Sequence, residues 1–173
     1  MVTYHSPLVQ TTTTTVLGTV HLAASPTGLA GLWFPGQRHL PAQLDGPRAW
    51  PVADGHPVLL AAAGQLHAYL AGKRSRFDVP LDLSAGTAFQ QAVWQALRGI
   101  AHGQTLSYAA LAQALGRPQA VRAVAGAIGR NPVSVVVPCH RVLGAKGSLT
   151  GYAGGLERKT ALLRLEGALA LPA

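Results

Sequence analysis

The chain opens on alternating segments and becomes helically periodic further along. Val16 to Ala24 and Leu29 to Phe34 are rich in apolar, β-branched and aromatic residues. The turn residues Ser25-Pro26-Thr27-Gly28 separate them, so the pair predicts a hairpin. Thr11 to Thr15, just before it, reads either as a strand edge or as a poorly ordered lead-in. Gly36 to Gly55 is Pro- and Gly-rich and predicts loop. From His56 to Ala71, Val58, Leu59, Ala62, Leu66 and Leu70 recur at helical spacing, and Gly72 marks the end. Phe77 to Leu83 alternates weakly and predicts a further strand. Ser84-Ala85-Gly86 then reads as a linker, dividing the chain into 1–84 and 85–173.

Helices dominate the second half. Thr87-x-x-Gln90 is a capping-box signature, and Phe89, Val93, Trp94, Leu97 and Ile100 follow at helical spacing. Ser107 predicts the N-cap of a short helix from Tyr108 to Leu115, closed by Gly116. Pro118 suits the first turn of another helix, reaching about Gly129. Two short helices joined through Gly-Arg-Pro predict a helix-turn-helix. In its second helix Val121, Val124, Ala125 and Ile128 form a core-facing stripe. Arg122, Gly126 and Gly129 share a different face, with Ala123 beside them. That face suits close approach to a nucleic-acid backbone, or close helix packing with Arg122 in solvent; the residues leave both open. A last amphipathic helix, Leu156 to Glu166, stops at Gly167.

Charge sharpens this division. Residues 1–84 carry five Lys/Arg against four Asp/Glu, a net +1. Residues 85–173 carry nine against two, a net +7, which points to a polyanion, nucleic acid before membrane. With 49% hydrophobic and 12% charged residues the chain is expected to fold rather than stay disordered. It has no apolar run long enough for a bilayer and no signal-peptide layout at Met1 to Gln10, so a soluble cytoplasmic protein is expected.

Its single cysteine, Cys139, follows Val135-Val136-Val137-Pro138 and precedes His140 and Arg141. The three valines predict a short buried strand stopped by Pro138, placing the thiol at a strand end. A neighbouring imidazole or guanidinium favours the nucleophilic thiolate. Buried structural cysteines are equally common, and these residues alone do not separate the two. One cysteine excludes an internal disulfide and a cysteine-rich zinc site. His5, His21, His39, His56, His67 and His102 show no ligand spacing, so no metal is expected.

Pro138-Cys139-His140-Arg141-Val142 resembles the active-site motif of the O6-alkylguanine-DNA alkyltransferases, the methylated-DNA–protein-cysteine methyltransferases. The resemblance extends through Ser107-Tyr108-x-x-Leu111-Ala112, Ala120-x-Arg122-Ala123-Val124-x-Gly126-Ala127 and Asn131-Pro132. It continues through Gly151-Tyr152-x-Gly154-Gly155-Leu156 and Lys159-x-x-Leu162-Leu163-x-x-Glu166-Gly167, covering 87–167 almost without gaps. The first half matches loosely, mainly at Gly31-Leu32-Trp33-Phe34. An α/β fold is implied. It would have an N-terminal ribonuclease-H-like β-sheet and helix domain at 1–84, and a mostly helical winged-helix-like domain at 85–173.

The resemblance also implies direct repair of O6-methylguanine, with O4-methylthymine as a second substrate, in duplex DNA. The alkyl group would pass irreversibly to Cys139 after base flipping, with no cofactor and in a monomer. His140 would act as base through a water, oriented by Glu166. Arg122 would fill the space left by the base, Tyr108 would help rotate the nucleotide, and Ala123 and Gly126 would meet the DNA. Tyr108 and the Ala153 amide would donate to the departing base, and the Cys139 and Val142 carbonyls would read its amino group. Tyr152 would complete the pocket, Asn131 would fix the active-site loop, and Lys159 would support it. The rival reading is a protein that recognises alkylated bases, or regulates through DNA, without transfer. Alkyltransferase-like proteins carry tryptophan where this chain has Cys139, which separates the two.

Overall fold

A computed structural model describes residues 2–170. The first half holds an antiparallel sheet in the order β1 (Val9–Thr15), β2 (Gly18–Ser25), β3 (Gly28–Trp33). The threonine run is thus the edge strand, its register set by Thr12 opposite His21 and Thr15 opposite Gly18. The turn takes Val16 and Leu17 out of the strand expected to start there, because Gly18 adopts the left-handed backbone (φ 100°) that closes it. Helix α1 (Pro57–Leu70) packs on this sheet through Leu59, Ala62, Leu66 and Tyr69. Val58 and Leu70, expected on that stripe, are only partly buried. Tyr69 takes the inward position instead.

No strand forms over Phe77–Leu83. This segment meets the sheet at a single bridge, Leu29 with Leu81, where the Leu29 amide reaches the Pro80 carbonyl at 2.7 Å. Pro80 has no N–H to extend a ladder.

Helix α2 (Ala88–Arg98) starts on the full capping box: the Thr87 hydroxyl accepts from the Gln90 amide and the Gln90 side chain from the Thr87 amide. After β4 (Leu106–Ser107), α3 (Tyr108–Ala114) is capped by Ser107, and a 3₁₀ turn at Pro118–Ala120 leads into α4 (Val121–Gly129). The inward residues of α4 are Val124, Ala127 and Ile128, with Val121 and Ala125 half-buried. Trp94 of α2 holds α4 from below, its indole N–H 2.9 Å from the Ala127 carbonyl. Strand β5 (Val142–Leu143) pairs in parallel with β4, and α5 (Leu156–Leu165) closes the chain.

The buried strand expected at Val135–Val137 is absent. Val133 bridges Leu32 of β3, the Leu32 amide meeting the Pro132 carbonyl at 2.9 Å and the Ser134 amide the Leu32 carbonyl at 3.0 Å. The chain then doubles back through Val135, whose φ of 71° is rare for a β-branched residue and costs about 1–2 kcal/mol. Cys139 therefore begins a 3₁₀ turn, Cys139–Arg141, rather than ending a strand. One core runs through both halves, from Leu22 and Leu32 to Trp94, Val133 and Leu162.

The linker is tightly packed as well. A Cβ on Gly86 would overlap the Trp94 ring. Gly86→Ala should therefore lower stability by about 1–3 kcal/mol, read as a fall in the urea midpoint. An unchanged midpoint would show that the ring has room to move.

Candidate functional site

The 3₁₀ turn and α5 converge on one buried carboxylate. Glu166, the C-cap of α5, receives His140 Nε2 at 2.5 Å, Arg141 Nε at 2.7 Å and Arg141 Nη2 at 3.1 Å. The Tyr69 hydroxyl of α1 donates to the same carboxylate. Burial alone would push this carboxyl up, but the donors from His140 and Arg141 outweigh it and hold the group ionised. An ionised carboxylate only accepts, so His140 carries its proton on Nε2 and Nδ1 keeps the lone pair. His140 Nδ1 is buried with no protein partner, and burial lowers the pKa of the ring. The imidazole is neutral with a free base nitrogen.

Cys139 is 4% exposed. Burial raises its thiol pKa. The Asn131 side-chain N–H at 3.1 Å and the charge of Lys159 oppose that shift. The other Asn131 bonds join the Val137 carbonyl at 2.8 Å and the Val133 amide at 3.0 Å, so one side chain spans the doubled-back loop and touches the sulfur. Lys159 is wholly buried, its ammonium on the carbonyls of Val142 (2.6 Å), Thr150 (2.9 Å) and Gly151 (3.3 Å); burial lowers its pKa to about 8.

Cys139 lines a cavity of about 540 Å³ with Tyr108, Tyr152, Ala153 and the Gly126–Gly129 face of α4. That volume suits a small ligand. The Tyr108 hydroxyl rests on the Thr150 and Gly151 carbonyls at 3.3 and 3.2 Å. Lys159 and Val142, expected at the pocket, do not line the cavity but lie fully buried behind its wall, where the Val142 carbonyl accepts from Lys159. Arg122 and Ala123 are exposed. A Cβ on Gly129 would meet nothing within 4 Å, and one on Gly126 only Arg130, so no helix packs on this face among the described residues. Between the two readings left open by the sequence, the open face favours approach from outside.

Sequence reasoning missed three residues and misplaced a fourth. Tyr69 sits at helical spacing from Leu59, Ala62 and Leu66, a signal that was present. Arg141, expected from its place beside Cys139 to favour the thiolate, instead turns inward to Glu166 (Nε at 2.7 Å) and the Ile100 carbonyl (2.6 Å), and nothing local in the sequence shows that turn. Arg38 and Arg130 stand at the cavity mouth, and only the fold brings them together. Among the described residues no cluster of His, Cys, Asp and Glu suits a metal ion, and no helix is long and apolar enough to cross a membrane.

Two family models match the chain. One, described as the ribonuclease-like domain of 6-O-methylguanine DNA methyltransferase, covers residues 8–83; the other, described as its DNA binding domain, covers 88–168. The methylated-DNA–protein-cysteine methyltransferase of Mycobacterium tuberculosis is 57% identical over 105 residues, 61% of this chain and 63% of the relative. The chain thus matches less than two thirds of that relative's length. The Mycobacterium leprae protein of the same name is 45% identical over 150 residues, 87% of each chain. The crystal structure of Mycobacterium tuberculosis OGT in complex with DNA superposes with a TM-score of 0.79 at 42% identity, over 93% of this chain and 92% of that one. The Mycobacterium tuberculosis O6-methylguanine methyltransferase structure gives 0.81 at 43% identity, over 96% of both.

The buried carboxylate has a consequence for acid stability. Its folded pKa lies below the unfolded value, so its contribution is present above about pH 4.3 and lost as pH falls through the folded value. His140, lowered in the fold, adds a loss that begins below about pH 6.5, where the unfolded ring takes a proton first. Glu166→Gln should cost about 3–5 kcal/mol at pH 7 by leaving Arg141 unpaired. It should also flatten the acid dependence in urea melts between pH 7 and 3. A variant of wild-type stability with the same acid dependence would refute this assignment.

Proposed function

The chain belongs to the 6-O-methylguanine DNA methyltransferase family, and from that premise we propose that it repairs O6-methylguanine in duplex DNA by moving the methyl group onto Cys139. O4-methylthymine, with its alkylated oxygen on a base of similar edge, is a second substrate. The observation that carries this reading is a lone thiol on the wall of a base-sized cavity, with a neutral imidazole held by an ionised carboxylate next to it.

A base inside a duplex is out of reach, so it must leave the stack. The exposed α4 face meets the minor groove, with Ala123 and Gly126 allowing close approach. Arg122 enters the stack behind the departing nucleotide. The base slides into the cavity beneath Tyr108 and Tyr152, where the Cys139 and Val142 carbonyls accept from its amino group.

His140 Nδ1 then draws the thiol proton through a water. The sulfur attacks the methyl carbon, the S–C bond forms and the C–O6 bond breaks. Guanine leaves with the C–O electron pair, stabilised by donors from Tyr108 and the Ala153 amide. Overall the thiol proton ends on guanine and the methyl on sulfur. Asn131 and Lys159 hold the loops that carry these groups. A thioether has no leaving group at neutral pH, and the chain has no second cysteine to exchange with it. Each molecule therefore acts once, as a monomer without cofactor, in a reducing cytoplasm where its thiol stays free.

Intact-protein mass after incubation with O6-methylguanine duplex should rise by one methyl group, located on Cys139 and lost in Cys139→Ser. Folded, reduced protein that gains nothing would overturn the reading. Arg122→Ala should slow repair of duplex DNA roughly tenfold while hardly affecting reaction with free O6-benzylguanine. Equal losses on the two substrates would exclude the stack-filling role.

A further inference from the structure

We infer that Tyr69 is a positioning residue of the alkyl-transfer site: from the N-terminal half it donates to the Glu166 carboxylate and thereby sets the strength of the base at His140. The inference rests on the alkyl-transfer reading, but it concerns a residue outside the half that carries the nucleophile.

Tyr69 lies in the last turn of α1 and is 1% exposed. Its ring is packed against Phe77 (centroids 4.9 Å apart) and edge-on to His102 (5.9 Å), which fixes the direction of the hydroxyl. That hydroxyl meets Glu166 Oε1, the same oxygen that receives His140 Nε2 and Arg141 Nη2. A core tyrosine needs a partner for its O–H, but any backbone carbonyl would serve. Here the partner is the one carboxylate that holds the imidazole.

A hydrogen bond to an ionised carboxylate stabilises the charged form and weakens it as a base. With three donors on Oε1, Glu166 orients the His140 N–H and attracts the imidazolium less strongly. Burial and the Glu166 charge both keep the Tyr69 phenol protonated, so it remains a donor throughout the working range. Without the hydroxyl, Glu166 concentrates its charge on His140, and the ring holds a proton to higher pH. The other charged or titratable groups around this network are Arg141 on the 3₁₀ turn, Lys159 on α5, His102 on the loop after α2, and Cys139 and Tyr152 at the cavity. Tyr69→Phe leaves all of them in place.

The test compares wild type with Tyr69→Phe in two readouts. The first is the pH profile of the single-turnover rate with free O6-benzylguanine, which needs no DNA. The acid limb should move to higher pH by about half to one unit, a three- to tenfold loss at fixed pH below the midpoint. The second is the NMR titration of the His140 ring, which needs no turnover and should shift in the same sense. A purely structural role would lower the melting temperature and leave both midpoints in place, and that result would overturn the inference. Wild type that takes up neither a benzyl group from O6-benzylguanine nor a methyl group from O6-methylguanine duplex would sink the alkyl-transfer reading, while the His140 titration would still decide whether Tyr69 tunes the ring. If Tyr69→Phe does not fold, the wild type decides: a slowly exchanging, downfield Tyr69 hydroxyl proton coupled to Glu166 is expected, and its absence overturns the inference.

Discussion

The ionised carboxylate of Glu166 is the constraint on which the rest of this structure depends. Burying such a group costs several kcal/mol unless its lone pairs are all engaged. Here Tyr69, His140 and both nitrogens of one Arg141 edge engage them. Those donors come from the end of α1 and from the turn that holds the thiol, and the acceptor ends α5. Satisfying one charge therefore fixes three distant segments relative to one another. The α5 terminus itself would disfavour a negative charge, which makes the imported donors necessary.

The N-terminal half thus does more than accompany the reactive half. Its β3 strand takes the active-site loop as a one-residue extension at Leu32 and Val133, and Tyr69 braces the carboxylate from the opposite side. Arg158 of α5 returns the contact, reaching the Leu17 carbonyl at 2.9 Å and covering the Phe34 ring at 4.5 Å. The strained Val135 persists because both ends of its turn are held, one by β3 and the other by Asn131. Strain kept by surrounding contacts in this way places the thiol where an ordinary strand end would not.

What was legible in the sequence was local or periodic. Thr87 and Gln90 announced their capping box because both partners lie within one turn. Ser107, Gly116 and Gly167 marked helix ends for the same reason. The alkyl-transfer motif was legible as an ordered set of residues, and the small residues around Arg122 lie on an open face. Three features misled or stayed hidden. Three valines in a row say strand, yet a bridge to Leu32 and the bonds of Asn131 override that preference. Phe77–Leu83 alternates like a strand but meets only one neighbour, and Pro80 interrupts it. The inward turn of Arg141 follows from a carboxylate 25 residues away, which no local pattern records.

Burial of the thiol looks at first like the wrong design for a nucleophile, since it raises the thiol pKa and depletes the thiolate. The objection holds for a cysteine that must turn over rapidly at rest. It weakens for one that reacts once. A permanently ionised, exposed thiolate would be the most susceptible to oxidation, and this chain has no other cysteine to resolve the damage. A more basic thiol is also intrinsically the better nucleophile once its proton is gone, because nucleophilicity rises with pKa. The site therefore gains by keeping Cys139 protonated and delegating the proton to a nearby base. Neutral His140, its Nδ1 without a protein partner and its Nε2 pinned by Glu166, is the base that the proposed reaction would use. Because Glu166 holds the ring in this tautomer, the same carboxylate that closes the fold also leaves on Nδ1 the lone pair that the proposed reaction needs.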